Sequence, residues 1–95
     1  MYKLDTTKRF DKALKLCKKR GYPIEDLRKA IAILAEKGCL PKEYKPHILH
    51  GNHEGEWEAH INPDWLLVWE QNDEELILLM LTTDTHSDVF SKTRR

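Results

Sequence analysis

The sequence predicts an α+β fold in the order β-α-α-β-β-β, with a two-helix hairpin packed on one face of a small, mainly antiparallel sheet. Three observations carry this prediction. Apolar residues recur with the helical period in the first part of the chain. In the second part they alternate or run on in strand-length blocks, and Gly, Pro, Asn and Asp punctuate the joins. At 95 residues the chain forms one domain, 1–95, large enough to bury about 60–65% of its unfolded surface without staples.

Taken in order, Tyr2-Lys3-Leu4-Asp5 alternates apolar and polar and predicts a short strand able to join a sheet edge. Thr6 or Thr7 then caps a helix through a side-chain oxygen. Phe10, Ala13, Leu14 and Cys17 fall at i, i+3, i+4 and i+7 on that helix, and Gly21 ends it. Lys8, Arg9, Lys12, Lys15, Lys18, Lys19 and Arg20 occupy its other faces. Pro23 suits the first turn of a second helix, Glu25 and Asp26 sit near its positive end, and Gly38 lies past its last turn. Its stripe is Leu27, Ala30, Ile31 and Leu34, widened by Ile33 and Ala35.

Periodicity then vanishes from Cys39 to Glu54, where Pro41, Pro46 and Gly51 mark a loop carrying His47, His50 and His53. Three strands follow. In the first, Trp57, Ala59 and Ile61 alternate with Glu56, Glu58 and His60, so His60 projects from the polar face. Asn62-Pro63-Asp64 has turn chemistry. Trp65 to Glu70 and Leu76 to Leu81 are apolar on both faces, as central strands are, with a turn at Gln71 to Glu74 between them. Ser87 to Phe90 is read as one helical turn before a basic tail of Lys92, Arg94 and Arg95.

Cys17 and Cys39 are far apart and form no CxxC pair, and there is no signal peptide or long apolar run. The expectation is a reduced, cytoplasmic protein with no membrane association. Net charge is zero but uneven: Lys and Arg number 13 against 6 Asp and Glu in residues 1–50, and 3 against 10 in residues 51–95. The basic half suits a polyanion or an acidic partner, or is simply a solvated helix face.

The chemistry concentrates at His60-Ile61-Asn62-Pro63-Asp64-Trp65, which sets an imidazole, a carboxylate and an indole at a strand-turn-strand corner. A second polar corner, Thr82-Thr83-Asp84-Thr85-His86, closes the next apolar run, and a sheet that lays the two runs side by side brings both corners to one end. Cleavage of RNA by internal attack needs a base for the 2′-hydroxyl, an acid for the departing 5′-oxygen and positive charge for the phosphorane. Imidazole titrates near neutrality, so two histidines can divide the first two tasks. Metal binding by His47, His50 and His53 is the weaker reading, because a Pro- and Gly-punctuated loop does not guarantee converging ligands. Trp57, Trp65 and Trp69 suit a core; Trp65 and Phe90, beside the two corners, are the aromatics placed to stack on a base.

These residues resemble the YafQ branch of the RelE superfamily, the toxins of bacterial type II toxin-antitoxin modules. The resemblance runs through Tyr44-Lys45-Pro46-His47, Leu49-His50-Gly51, the string from Glu58 to Val68, and Thr85-His86-Ser87-Asp88-Val89-Phe90. It implies a RelE-like fold and a ribosome-dependent endoribonuclease that cuts mRNA in the A site, leaving a cyclic phosphate and a 5′-hydroxyl with no metal or other cofactor. By position, His86 corresponds to the general acid, Asp64 to a catalytic carboxylate, and His47 and His60 to partners in proton transfer or phosphate contact. Trp65 and Phe90 correspond to substrate-positioning aromatics. A RelB/DinJ-like antitoxin is the implied partner, and operator DNA is reached only through the complex with it. Thr82 stands where the family commonly has Arg, and Asp84 replaces a usual glycine. The alternative is a relative that no longer cuts RNA and serves as an antitoxin-binding partner in operon repression.

Overall fold

The architecture is that of a computed structural model, which describes residues 1–49 and 55–85. In chain order it holds β1 (Lys3–Thr6), α1 (Lys8–Lys19), α2 (Ile24–Lys37), a 3-10 turn (Lys42–Tyr44), β2 (His47–Ile48), β3 (Glu56–Asn62), β4 (Trp65–Asn72) and β5 (Ile77–Thr85). The five strands form one sheet in the order β1-β5-β4-β3-β2, with β1 parallel to β5 and every other pair antiparallel. The predicted α+β class and helical hairpin are both present.

Local chemistry explains both helices. The Thr7 side chain accepts a hydrogen bond from the Phe10 N–H at 3.0 Å, satisfying one of the orphan donors of α1. At the other end Gly21, at φ +78°, takes the left-handed conformation. Its N–H donates to Lys18 O and the Tyr22 N–H to Cys17 O, the paired reverse bonds that close a helix on glycine. α2 carries Glu25 and Asp26 in its first turn and ends on Gly38, also left-handed. A side chain at Gly38 would also collide with the Tyr2 ring, 2.6 Å from where its Cβ would stand.

Phe10, Cys17, Leu27, Ala30 and Leu34 from the helices meet Ala59, Trp65, Leu67, Trp69, Leu78 and Met80 from the sheet in one core. Each large apolar side chain so buried contributes about 1.5–3 kcal/mol. Directly opposite residues in an antiparallel pair share a face, so this core uses one face of β3, β4 and β5, and among the described residues no helix covers the other, outer face.

Three expectations about the elements change. His47–Ile48, read as loop, forms an extra edge strand, pairing His47 with Glu58 and Ile48 with Trp57. Only two residues long, it is too short to show a period. The corner expected from Thr82 onward is strand as far as Thr85, because β5 continues alongside β4 after a register shift between Val68 and Trp69. Gln71, read as turn, belongs to β4; its side chain accepts from Trp69 Nε1 and donates to Gly38 O and Asp73 Oδ1. Among the described residues no helix is long and apolar enough to cross a membrane.

Candidate functional site

Sheet register builds the site. His47 on β2 lies opposite Glu58 on β3, Glu58 opposite Val68 on β4, and Val68 opposite Thr82 on β5. The next row along the same face runs from His60 through Leu66 to Asp84. Two rows therefore cross the outer face, each passing on β4 through one member of an apolar pair, Leu66 and Val68, that forms its own small cluster with Leu49 and Leu81.

The first row sets an imidazole against a carboxylate. His47 Nε2 is 3.2 Å from Glu58 Oε1, with the imidazole half-exposed at 49% and the carboxylate buried at 2%. The other ring nitrogen, Nδ1, is 3.1 Å from Lys45 O. Lys45 reaches that position through a left-handed backbone, φ 49°, at the end of the 3-10 turn. The ring thus lies between a buried carboxylate and a backbone carbonyl. In the second row, Asp84 is buried and its Oδ1 lies 3.5 Å from Nη1 of Arg20, the C-cap residue of α1. Burial, and secondly the Asp84 carboxylate, push the Cys17 thiol up, which keeps it a neutral core group.

The turn between β3 and β4 ends this part of the sheet. Asn62 Oδ1 accepts from the Asp64 N–H at 3.1 Å, a side-chain-closed turn that leaves the Asp64 carboxylate exposed. The next residue, Trp65, pairs with Thr85, the last residue of β5. The β3–β4 turn and the end of β5 therefore share one end of the sheet, as the sequence predicted. Among the described residues no group of three or more His, Cys, Asp or Glu is arranged to hold a metal ion.

Comparison with known proteins places this geometry. A profile of the bacterial toxin of type II toxin-antitoxin system, YafQ, matches residues 2–91. The chain belongs to the YafQ toxin family. The mRNA interferase toxin YafQ of Escherichia coli K12 is 33% identical over 82 residues, covering 85% of this chain and 87% of that protein. YafQ in the E. coli DinJ-YafQ complex superposes with a TM-score of 0.86 at 30% identity, over 95% of this chain and 99% of that one. A metal-bound toxin from Helicobacter pylori also gives 0.86, at 36% identity, over 95% of this chain and all (100%) of that one.

Within this chain the residues singled out by sequence have different fates. His47 and His60 lie on the same outer face in adjacent rows, and Asp64 is exposed at the end of the sheet. His86 and Phe90, like His50 and His53, lie outside the described residues. Trp65 requires a correction. It is 1% exposed and meets Tyr22 edge to face at a centroid distance of 5.2 Å, so it has no free face on which to stack a base. Its parity is that of Leu67 and Trp69, which point to the helices. Thr82 is buried at 3%, part of the inner framework of the row and not an exposed contact point.

Glu58 is the residue of this face whose burial against His47 sequence reasoning missed. It belonged to the alternation Glu56, Glu58, His60 and read as a solvated polar face. The available signal was the Tyr44-to-His47 motif upstream, had that segment been recognised as a strand flanking β3.

Proposed function

We propose that the chain is the endoribonuclease toxin of its module, cutting translated mRNA in the ribosomal A site through protein acid/base groups without a metal. The observation that carries this reading is the His47–Glu58 pair beside His60, on the outer sheet face at the end where Asp64 turns. Family membership adds the reaction class, since E. coli relatives are named mRNA interferase toxins. A 2′-hydroxyl loses its proton to a basic group, attacks the adjacent phosphorus, and the 5′-oxygen leaves with a proton from an acid. The products are a cyclic phosphate and a 5′-hydroxyl.

In this scheme His86 is the general acid, Asp64 a proton-accepting carboxylate, and His60 and His47 act in proton transfer or phosphate contact. Phe90 positions a base. A DinJ/RelB-like antitoxin binds the toxin in the cytoplasm, and the complex reaches operator DNA through the antitoxin; E. coli YafQ is known in complex with DinJ. Positioned acid/base groups contribute about 10²- to 10⁴-fold. His86→Ala and Asp64→Ala should each lower cleavage on that scale, read by primer extension on translated mRNA, with circular dichroism unchanged. Undiminished cleavage by His86→Ala sinks the acid assignment.

A second reading is favoured by Thr82 and by the zero net charge, unusual for a ligand of an RNA machine. In it the chain binds antitoxin for operon repression and cuts nothing. Wild-type protein that binds its antitoxin but leaves translated mRNA intact would establish that reading.

A further inference from the structure

We propose that the outer edge of β1 pairs antiparallel with the same strand of a second copy of the chain, about a two-fold axis at Leu4, so that a homodimer joins the two sheets into one. This does not rest on the RNA-cleaving reading: β1 closes one edge of the sheet, and β2, which carries His47, closes the other.

The parallel ladder fixes which backbone groups face outward. Lys3 N–H donates to Leu76 O and Thr7 N–H to Met80 O, so the odd-numbered residues turn their N–H and C=O toward β5. Leu4 and Thr6 therefore turn theirs away from the sheet. All four residues of β1 are exposed. An edge of this kind is a template on which another strand can be laid. Exposed apolar side chains also gather here: Leu4 is 43% exposed, Met1 precedes the strand, and the exposed Leu76 lies beside its first residue.

Charge selects both the occupant and the register. Leu4 and Thr6 stand beside Leu78 and Met80 on the helix-bearing face, whereas Lys3 and Asp5 stand beside Ile77 and Leu79 on the outer face. Opposite charges two residues apart on one face make an antiparallel strand complementary to itself. With Leu4 opposite Leu4 of the copy, the two residues exchange N–H and C=O bonds, and Lys3 of each strand falls opposite Asp5 of the other. Centring the axis on Lys3 or on Asp5 instead sets like charges face to face. A polyanion would match only the lysine of this strand, and a basic surface only the aspartate; a second copy matches both. A lone edge lysine discourages pairing, but a lysine followed by aspartate at the next position of the same face specifies a partner. The incoming lysine also meets the end of an acidic row, since Asp5 stands beside Leu79, Leu79 beside Glu70, and Glu70 beside Glu56.

The test is analytical ultracentrifugation of the full-length protein as its concentration is raised from micromolar to millimolar, where a monomer-dimer equilibrium should appear. Lys3→Glu and Asp5→Lys should each weaken association at least ~10-fold, because either change turns two attractive cross-strand pairs into repulsive ones. Lys3→Glu combined with Asp5→Lys should return association to within ~3-fold of wild type, because the double swap rebuilds both pairs. Damage to the fold would add in the double variant and not cancel. Amide exchange gives a second readout: the Leu4 N–H should exchange more slowly as concentration rises, while the Lys3 N–H, bonded inside the sheet, should not change. A monomer at every concentration, a dimer indifferent to the single reversals, or a double variant no better than the singles overturns the proposal. Protection of Leu4 that appears only when an antitoxin is added gives the edge to that partner and overturns the homodimer.

Discussion

Glu56 and Glu58 stand two residues apart on the same face of the same strand, and they sit in opposite worlds. Glu56 lies opposite Glu70 on β4, at an end of the sheet where Glu70, Asp73 and Glu74 line an open cleft of about 750 Å³. Glu58 lies opposite Val68, is flanked by His47, and is sealed from water. One end of the outer face is a solvated acidic surface and the other buries a carboxylate against an imidazole. The side chain is the same; the cross-strand neighbour decides what it does. In water a carboxylate and an imidazolium 4 Å apart interact by about 1 kcal/mol, whereas partial burial multiplies this severalfold. Such a pair is worth building only at the covered end.

Removing the partner at the covered end should break this comparison most strongly. His47→Ala leaves the Glu58 carboxylate buried without compensation, at a cost of about 1–3 kcal/mol. Urea unfolding should show that loss, and adding Glu58→Leu should restore most of it, since an apolar residue opposite Val68 has nothing left to satisfy. The same truncation at the solvated end, Glu70→Ala at an exposed position, should stay within about 0.5 kcal/mol. Equal losses at the two ends would mean that Glu58 is no more dependent on its partner than a surface carboxylate.

Charge reversal of the acidic end sharpens the contrast from the other side. Glu70→Lys with Glu74→Lys turns a patch that repels a polyanion into one that attracts it. Binding of single-stranded RNA, followed by fluorescence anisotropy against salt, should strengthen several-fold at low ionic strength. Each new phosphate contact steepens the log–log salt slope by about 0.7. An unchanged slope would show that RNA never approaches that end of the sheet.

The smallest effect belongs to a clasp behind the acidic cleft. Tyr2 OH donates to Asp73 Oδ1 at 2.6 Å and Gln71 Nε2 donates to the same oxygen at 2.8 Å. The Tyr2 bond first, then that from Gln71, hold the Asp73 carboxyl below its usual range, while the same bond pushes the Tyr2 phenol up. A depressed carboxyl stabilises the fold above its unfolded value and loses that contribution as pH falls through the folded one. Wild type should therefore melt slightly higher than Asp73→Asn near neutrality, and the gap should close below about pH 4. A gap that widens in acid would reverse the sign and remove the clasp from the account.

Much of the architecture is a property of the sequence alone. The stripes from Phe10 to Cys17 and from Leu27 to Leu34, with Thr7, Gly21 and Gly38 at the ends, specify two helices because helical period and capping are local, involving residues within a few positions of each other. The alternation in β3 likewise determines that Trp57 and Ala59 point one way and Glu58 and His60 the other. What local pattern does not contain is the identity of the neighbour across a strand. The pairing of His47–Ile48 with β3 is nonlocal, and so is the register that carries β5 to Thr85 and the packing of α1 beside Trp65. Each turns a residue into something its own sequence context did not show: Glu58 from solvated carboxylate to buried partner, and Trp65 from stacking surface to core. Tertiary structure decided these two because burial and partnership depend on which distant segment comes to rest against a side chain, and period alone fixes only the direction in which that side chain points.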